Sequence, residues 1–273
     1  MHRTTSLAQL RLVNMRLHGR EDDMKLLKSK LIELKNHSAD SGGEGKRPEL
    51  ILVSGVSGTG KSALVMRGVR DQAQKMGLVF AGGKFDLNHT ALPLSAFTDA
   101  MSSLAKHVLS DEGNMQKIQN DIKGAAIGED DLMLLARVLP GCEDLLTSSE
   151  KGAVRQKSLV EEEDISGDGR EAVRRVQYAI RRLLKVICSN LNGVVLFIDD
   201  LQVSIEFGTY YLPHHIIYSV QPTHIFSLSY LSLFMLQQWS DAATLDLIKS
   251  ISLDVDIPSL LLVGAYREDE VSE

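Results

Sequence analysis

The amino-acid sequence predicts an α/β domain of three layers, in which helices cover both faces of a mainly parallel sheet. The first observation is a set of short apolar runs at 50–53, 78–81, 194–198 and 260–265, each with the length of a buried strand. The second is the helical spacing of apolar residues in the segments between them, most clearly at 173–187. Strands that alternate with helices along a chain predict βαβ units and therefore a parallel sheet.

A glycine-rich loop follows the first run directly and precedes a helix. It has the Walker A pattern G-x-x-x-x-G-K-S, in which glycines let the backbone wrap around a phosphate and point N–H groups inward. The following helix N-terminus adds partial positive charge. We predict that Lys61 reaches the β- and γ-phosphates and that the Ser62 hydroxyl ligates Mg²⁺. The predicted nucleotide-binding residues of the loop are Gly55, Ser57, Gly58, Thr59, Gly60, Lys61 and Ser62. The sequence therefore predicts a P-loop NTPase fold, with a purely structural glycine turn as the alternative.

The neighbouring segments complete the first βαβ unit. Apolar residues at helical spacing between 21 and 35 predict a helix, and the polar, glycine-rich segment 36–48 predicts a loop before the first strand. The helix after the phosphate loop is predicted to end near Lys75, with Gly77 in the C′ position. A strand at 78–81 and a helix at 97–108 are expected next.

The apolar run 194–198 ends in the acidic pair Asp199-Asp200. Ligands bind at the C-terminal edge of open α/β sheets, so the pair predicts the second half of the nucleotide site, the Walker B element. Asp199 is predicted to hold Mg²⁺, and Asp200 to orient the attacking water or take its proton. The last run ends in Arg267, which we predict to contact the γ-phosphate; a surface arginine in a turn is the alternative.

Composition sets limits on function. The net charge of −6 argues against a general nucleic-acid binder. Cys142 and Cys188 lack metal-ligand spacing, so we expect reduced thiols. The N-terminus lacks a secretory signal, so we expect a cytoplasmic protein without a membrane span. We interpret the acidic segment 148–169 as a loop rather than a metal site. The basic residues of the helix at 170–190 are interpreted as a solvated face, with a DNA or partner contact as the alternative.

Five segments in this order resemble one group of AAA-like ATPases, which is similar to the origin-recognition ATPases and overlaps the STAND signalling ATPases. They are His18-Gly19-Arg20-Glu21, the phosphate loop, Gly83-Lys84-Phe85-Asp86, Asp199-Asp200-Leu201-Gln202 and Gly264-Ala265-Tyr266-Arg267. The resemblance implies that Gly19 and Arg20 lie against adenine, that Arg267 occupies a sensor position, and that the nucleotide is ATP with Mg²⁺. It also implies protein partners or covalently linked effector domains. We therefore expect an N-terminal extension at 1–17 and an ATPase core at 18–273.

The sequence departs from this group in two places. It ends just past the predicted sensor strand, where such proteins continue into a helical lid, so we expect an incomplete chain. In addition, residues 203–238 separate Leu201-Gln202 from Trp239-Ser240-Asp241, which are contiguous in the group. This insert holds no Lys, Arg or Asp. We interpret it as a translated intron, because Gln202-Val203-Ser204 can be encoded as a donor splice site; a surface loop and a membrane segment are the alternatives.

The function predicted from these observations is a Mg²⁺-ATP-binding switch domain of a signalling ATPase, with slow hydrolysis at most. The γ-phosphate is the natural switch element, since contacts to it are lost on hydrolysis. Two alternatives remain at this point. One is a DNA-associated ATPase similar to the origin-recognition proteins, and the other is an interaction module whose nucleotide site has decayed.

Overall fold

A computed structural model describes residues 19–39, 48–84, 94–125, 127–146, 169–201, 223–227 and 242–266. The elements in chain order are α1 (Glu21–Ala39), β1 (Glu49–Gly55), α2 (Lys61–Val65), a π-helical segment (Met66–Arg70), α3 (Asp71–Lys75), β2 (Val79–Lys84), α4 (Ser95–Leu109), α5 (Glu112–Gly124), α6 (Glu129–Val138), α7 (Glu143–Leu146), α8 (Gly169–Asn190), β3 (Val194–Leu201), β4 (Thr223–Ser227), α9 (Ala242–Ser252) and β5 (Leu260–Tyr266). None of the helices in this described part of the chain is long and apolar enough to cross a membrane.

The strands form one sheet in the order β2-β3-β5-β1-β4. The pairs β2–β3, β3–β5 and β5–β1 are parallel, which confirms the predicted α/β fold. The strand β4 pairs with β1 in the antiparallel sense and places Ile225 opposite Val53. This edge strand lies within the insert 203–238, where the sequence had predicted no strand. The other residues of the insert lie outside the described residues.

Two apolar cores lie on the two faces of the sheet. Leu50 and Leu52 of β1 belong to the core covered by the helices α4 to α9. Their neighbours Ile51 and Val53 point to the opposite core, which is covered by α1, α2, the π-helical segment and α3. Because both faces of β1 are buried, its sequence is a continuous apolar run rather than an alternating one. The three predicted layers are therefore present.

The helix after the phosphate loop ends where the sequence predicted. Gly77 has a φ of +75°, and the amide of Leu78 donates a hydrogen bond of 2.9 Å to the carbonyl of Ala73. This six-residue closure is the Schellman arrangement that favours glycine after a helix. The π-helical segment in the middle of this helix was not predicted.

The basic face of α8 contacts neighbouring elements instead of lying wholly in solvent. Arg175 pairs with Asp131 of α6 at 2.9 Å. Arg181 donates from Nε to Asp254, which follows α9, at 2.9 Å. Lys185 pairs with a carboxylate of the same connection, and Arg182 donates to a backbone carbonyl after α5. The predicted solvated face is thus in part an intramolecular interface, which joins α8 to α6 and to the segments that follow α5 and α9.

Candidate nucleotide-binding site

The phosphate loop connects the C-terminal end of β1 to the first turn of α2. Gly58 and Gly60 have φ values of +82° and +84°, a left-handed conformation that glycine adopts without strain. No described atom outside the neighbouring residues lies within 4 Å of where a Cβ at either position would be, so the positive φ rather than a close contact is what favours glycine there. Thr59 donates from its hydroxyl to the carbonyl of Val56 at 2.9 Å, which tightens the turn. Left-handed glycines in a short turn are typical of loops whose amides bind phosphate.

Lys61 lies at the first position of α2 and is 8% exposed. Its ammonium donates to the carbonyl of Gly55 at 2.7 Å and to that of Val56 at 3.0 Å. These two bonds tie the start of the helix to the end of β1 across the loop. An ammonium has three donors, so one donor remains for an anion after both carbonyls are satisfied.

Ser62 and Asp199 join the two predicted halves of the site. The Ser62 hydroxyl donates to Asp199 Oδ2 at 2.7 Å, although 137 residues separate them in sequence. The other carboxylate oxygen, Oδ1, accepts the backbone N–H of Asp200 at 3.0 Å. A hydroxyl and a carboxylate are oxygen donors of the kind that Mg²⁺ prefers, so this pair fits that ion.

A bulge at the end of β3 carries the acidic pair. Ile198 lies opposite Gly264 of β5, and Leu201 lies opposite Tyr266, so three steps on β3 match two steps on β5. The extra residue changes the direction of the strand end, as bulges near functional sites do. Asp200, inside the bulge, has a φ of +61°, which is uncommon for a residue other than glycine but tolerated by Asp and Asn.

Lys84 lies beside the acidic pair, a position that the sequence did not predict. It ends β2 and lies beside Asp199 in the parallel register. Its ammonium is 3.7 Å from Asp200 Oδ2. Its position at the end of β2, directly beside the acidic pair at the end of β3, is the feature that could have identified Lys84. A cation at this edge reduces the repulsion between the two carboxylates and an incoming polyphosphate.

Arg20 lies beside the phosphate loop. Its guanidinium donates from Nη2 to the carbonyl of Thr59 at 3.0 Å and pairs through Nη1 with Asp23 at 3.2 Å. Gly19 before it has a φ of +73°, which lets the chain turn into α1. These contacts neither confirm nor contradict the predicted contact of Gly19 and Arg20 with adenine, which stays a prediction.

Two other predicted features lie outside the described residues. Arg267 directly follows Tyr266, the buried last residue of β5, so its predicted contact with the γ-phosphate stays a prediction. The acidic segment 148–169 is outside as well, apart from Gly169, at which α8 begins. Within the described residues, no three His, Cys, Asp or Glu side chains form a metal cluster.

The chain is similar in sequence to known proteins. No solved structure matches the chain. One similar curated protein is the hybrid signal transduction histidine kinase G of Dictyostelium discoideum, which is 28% identical over 154 residues. The match covers 56% of this chain but 4% of that protein, so the chain spans a small part of its relative's length. The AAA ATPase domain family matches residues 16–263, which is most of the sequence, and the chain therefore belongs to this family.

Proposed function

We propose that this chain binds Mg²⁺-ATP between the phosphate loop and the end of β3, and that it serves as the switch domain of a signalling ATPase. The observation that carries the proposal is the 2.7 Å hydrogen bond between Ser62 and Asp199. It brings together the two groups that would share a metal ion, on elements that the sequence identifies independently. Membership of the AAA ATPase domain family supports nucleotide binding in general.

Each residue has a distinct part in the proposed site. The loop amides and the Lys61 ammonium would bind the phosphates, which suits a loop that leads into a helix N-terminus with positive partial charge. Ser62 and Asp199 would hold Mg²⁺, and the bound Mg²⁺-ATP would supply the reactive γ-phosphoryl group with part of its charge neutralised. Asp200 would orient the attacking water or accept its proton, and Arg267 would contact the γ-phosphate.

The switch role rests on the chemistry of the γ-phosphate and on one relative. Groups from the loop, from β2 and from β3 converge at one sheet edge, so a γ-phosphate there would hold three elements together until hydrolysis. The relative's name assigns it to signal transduction, and we propose the same setting for this chain. We expect slow hydrolysis, since a switch has to persist in its ATP state.

Binding of a fluorescent ATP analogue and release of phosphate test the proposal in the wild-type protein and three variants. Lys61→Ala is expected to abolish binding, because it removes the buried ammonium. Asp200→Asn is expected to keep binding and stop turnover, because Asn tolerates the positive φ but does not accept a proton at neutral pH. Lys25→Met, which alters an exposed pair on α1, is the matched control and should behave as wild type. Unchanged nucleotide affinity in Lys61→Ala would refute the site.

A further inference from the structure

Arg20, just before α1, forms a buried ion pair with Asp23 of α1 and also contacts the phosphate loop. We name the ion pair the Arg20–Asp23 pair. Its side chains are 9% and 3% exposed, and Nη1 of Arg20 lies 3.2 Å from Asp23 Oδ2. The second arm of the same guanidinium donates to the Thr59 carbonyl at 3.0 Å. One planar, rigid group therefore spans a carboxylate of α1 and the backbone of the loop.

Burial of this pair is not explained by stability. Burying two charges loses about as much free energy as their attraction restores, so a buried pair is weak evidence for a stabilising role. Asp23 Oδ1 also lies buried without a hydrogen-bond partner among the described residues. The neighbouring pair Asp22–Lys25 has the same i, i+3 spacing at 2.8 Å but lies in solvent. Burial of the first pair thus follows from where α1 packs.

Close packing of α1 fixes the position of the pair. A Cβ at Gly68, in the π-helical segment, would lie 2.8 Å from Met24 Sδ and 3.1 Å from Leu27 Cδ1. The absence of a side chain at Gly68 therefore lets α1 approach the helix that follows the loop. Leu27 and Leu31 are buried in the same core as Leu64 of α2. The N-terminal end of α1 is in this way held beside the loop.

We propose that Arg20 is a positioning residue that sets the direction of the Gly60 N–H toward phosphate. The Thr59 carbonyl and the Gly60 N–H belong to one planar trans peptide and point in opposite directions. A guanidinium that holds the carbonyl on the outside of the loop keeps the N–H on the inside. Gly60 needs this restraint, since a glycine permits the peptide plane to rotate at low cost. Asp23 orients the guanidinium. This inference rests on the proposed function.

The proposal predicts which ligands lose affinity. A residue that acts through the loop affects every polyphosphate equally, whereas a residue in contact with adenine affects ATP alone. Arg20→Met should weaken ATP and inorganic tripolyphosphate by the same factor of about ten or more, the equivalent of one hydrogen bond to a charged group. The ratio of ATP to CTP affinity should not change. Asp23→Asn should have a smaller effect in the same direction.

The experiment measures displacement of a fluorescent ATP analogue by ATP, CTP and tripolyphosphate, with thermal melting of each variant in the absence of ligand. Lys25→Met is the control, because it removes a cation of the exposed pair on the same helix. Should Arg20→Met fail to fold, Arg20→Lys takes its place, since a lysine keeps the charge but loses the two-armed geometry. The same parallel loss is expected for Arg20→Lys.

Three results overturn the inference. They are loss of ATP affinity with unchanged tripolyphosphate affinity, a changed ATP-to-CTP ratio, and wild-type affinities in the folded Arg20 variant. Failure of the proposed function is recognised separately, because the wild-type protein would then not bind the ATP analogue at all.

Discussion

Gly264 lies at the centre of the sheet and should not tolerate a methyl group. On β5 it lies between Ile198 of β3 and Leu52 of β1. An added Cβ would be 2.6 Å from Leu201 Cδ1 and 2.8 Å from Leu52 Cδ2, whereas ordinary contact begins at 3.4 Å. The two leucines would have to retreat by 0.8 Å and 0.6 Å at the same time. Both are buried, so neither has free space to enter.

The size of the effect follows from two opposing contributions. Overpacking a core costs about 1–3 kcal/mol. Replacing glycine by alanine inside a strand returns about 0.5–1 kcal/mol, because the unfolded chain loses conformational freedom. We therefore expect Gly264→Ala to lower the free energy of unfolding by about 1 kcal/mol, within a range of about 0–2.5 kcal/mol; each 1 kcal/mol is equivalent to roughly 2–4 °C in Tm. Leu201 also ends the bulge that carries the acidic pair, so ATP turnover should fall as well.

Urea unfolding of Gly264→Ala and Gly82→Ala provides the comparison. Gly82 lies inside β2, and the nearest atoms to its added Cβ are ordinary contacts at 3.6 Å, from Phe80 and Phe197. Gly82→Ala should be neutral or up to about 1 kcal/mol more stable than wild type. Equal urea midpoints for the two variants, with equal dependence on urea, would refute the reasoning from close contact.

Four further predictions concern the insert, the two cysteines and the N-cap of α5. Removing 203–238 should leave nucleotide affinity unchanged, because β4, the described part of this segment, pairs with β1 at the sheet edge and carries none of the proposed site residues. Transcript sequencing across this segment tests whether it is an intron. Burial raises the pKa of Cys142 to about 12 and also raises the pKa of Cys188, so neither should react with a disulfide reagent at pH 8 until the protein unfolds. The contribution of these thiols to the free energy of unfolding should be constant below about pH 9 and should fall as pH rises further, because only the unfolded thiols ionise readily. Urea unfolding at a series of pH values measures this contribution. Asp111→Ala should cost about 1 kcal/mol in urea unfolding, because Asp111 caps α5 through the amides of two following residues.

Elements that depend on contiguous residues were predictable. The phosphate loop is one uninterrupted pattern of eight residues, and this pattern alone predicts a turn between a strand and a helix. The strands β1, β3 and β5 were found because burial on both faces leaves continuous apolar runs in the sequence. The end of the loop helix at Gly77 was found because glycine favours the left-handed position after a helix.

Features that depend on relations between strands were not predictable. Nothing in 198–201 distinguishes a bulge from a regular strand end, because the extra residue appears only when β3 is aligned with β5. The contact of Lys84 with Asp200 likewise requires β2 to be the neighbour of β3. The basic residues of α8 were interpreted as solvated because their carboxylate partners lie on other elements, 44 to 73 residues away for Arg175 and Arg181.

Arg20 shows most clearly what a motif leaves undetermined. The resemblance identifies Gly19-Arg20 as part of the site but does not say which atoms Arg20 contacts. Its bond to Thr59 exists because α1 docks on the loop helix at Gly68, a position that carries no motif. If α1 were shifted by one turn, about 5.4 Å along its axis, Arg20 in its present conformation would lie too far from the Thr59 carbonyl for a hydrogen bond. Gly68 therefore contributes to the position of Arg20 although it lies outside the motif, because a side chain there would have to displace Met24 and Leu27 of α1.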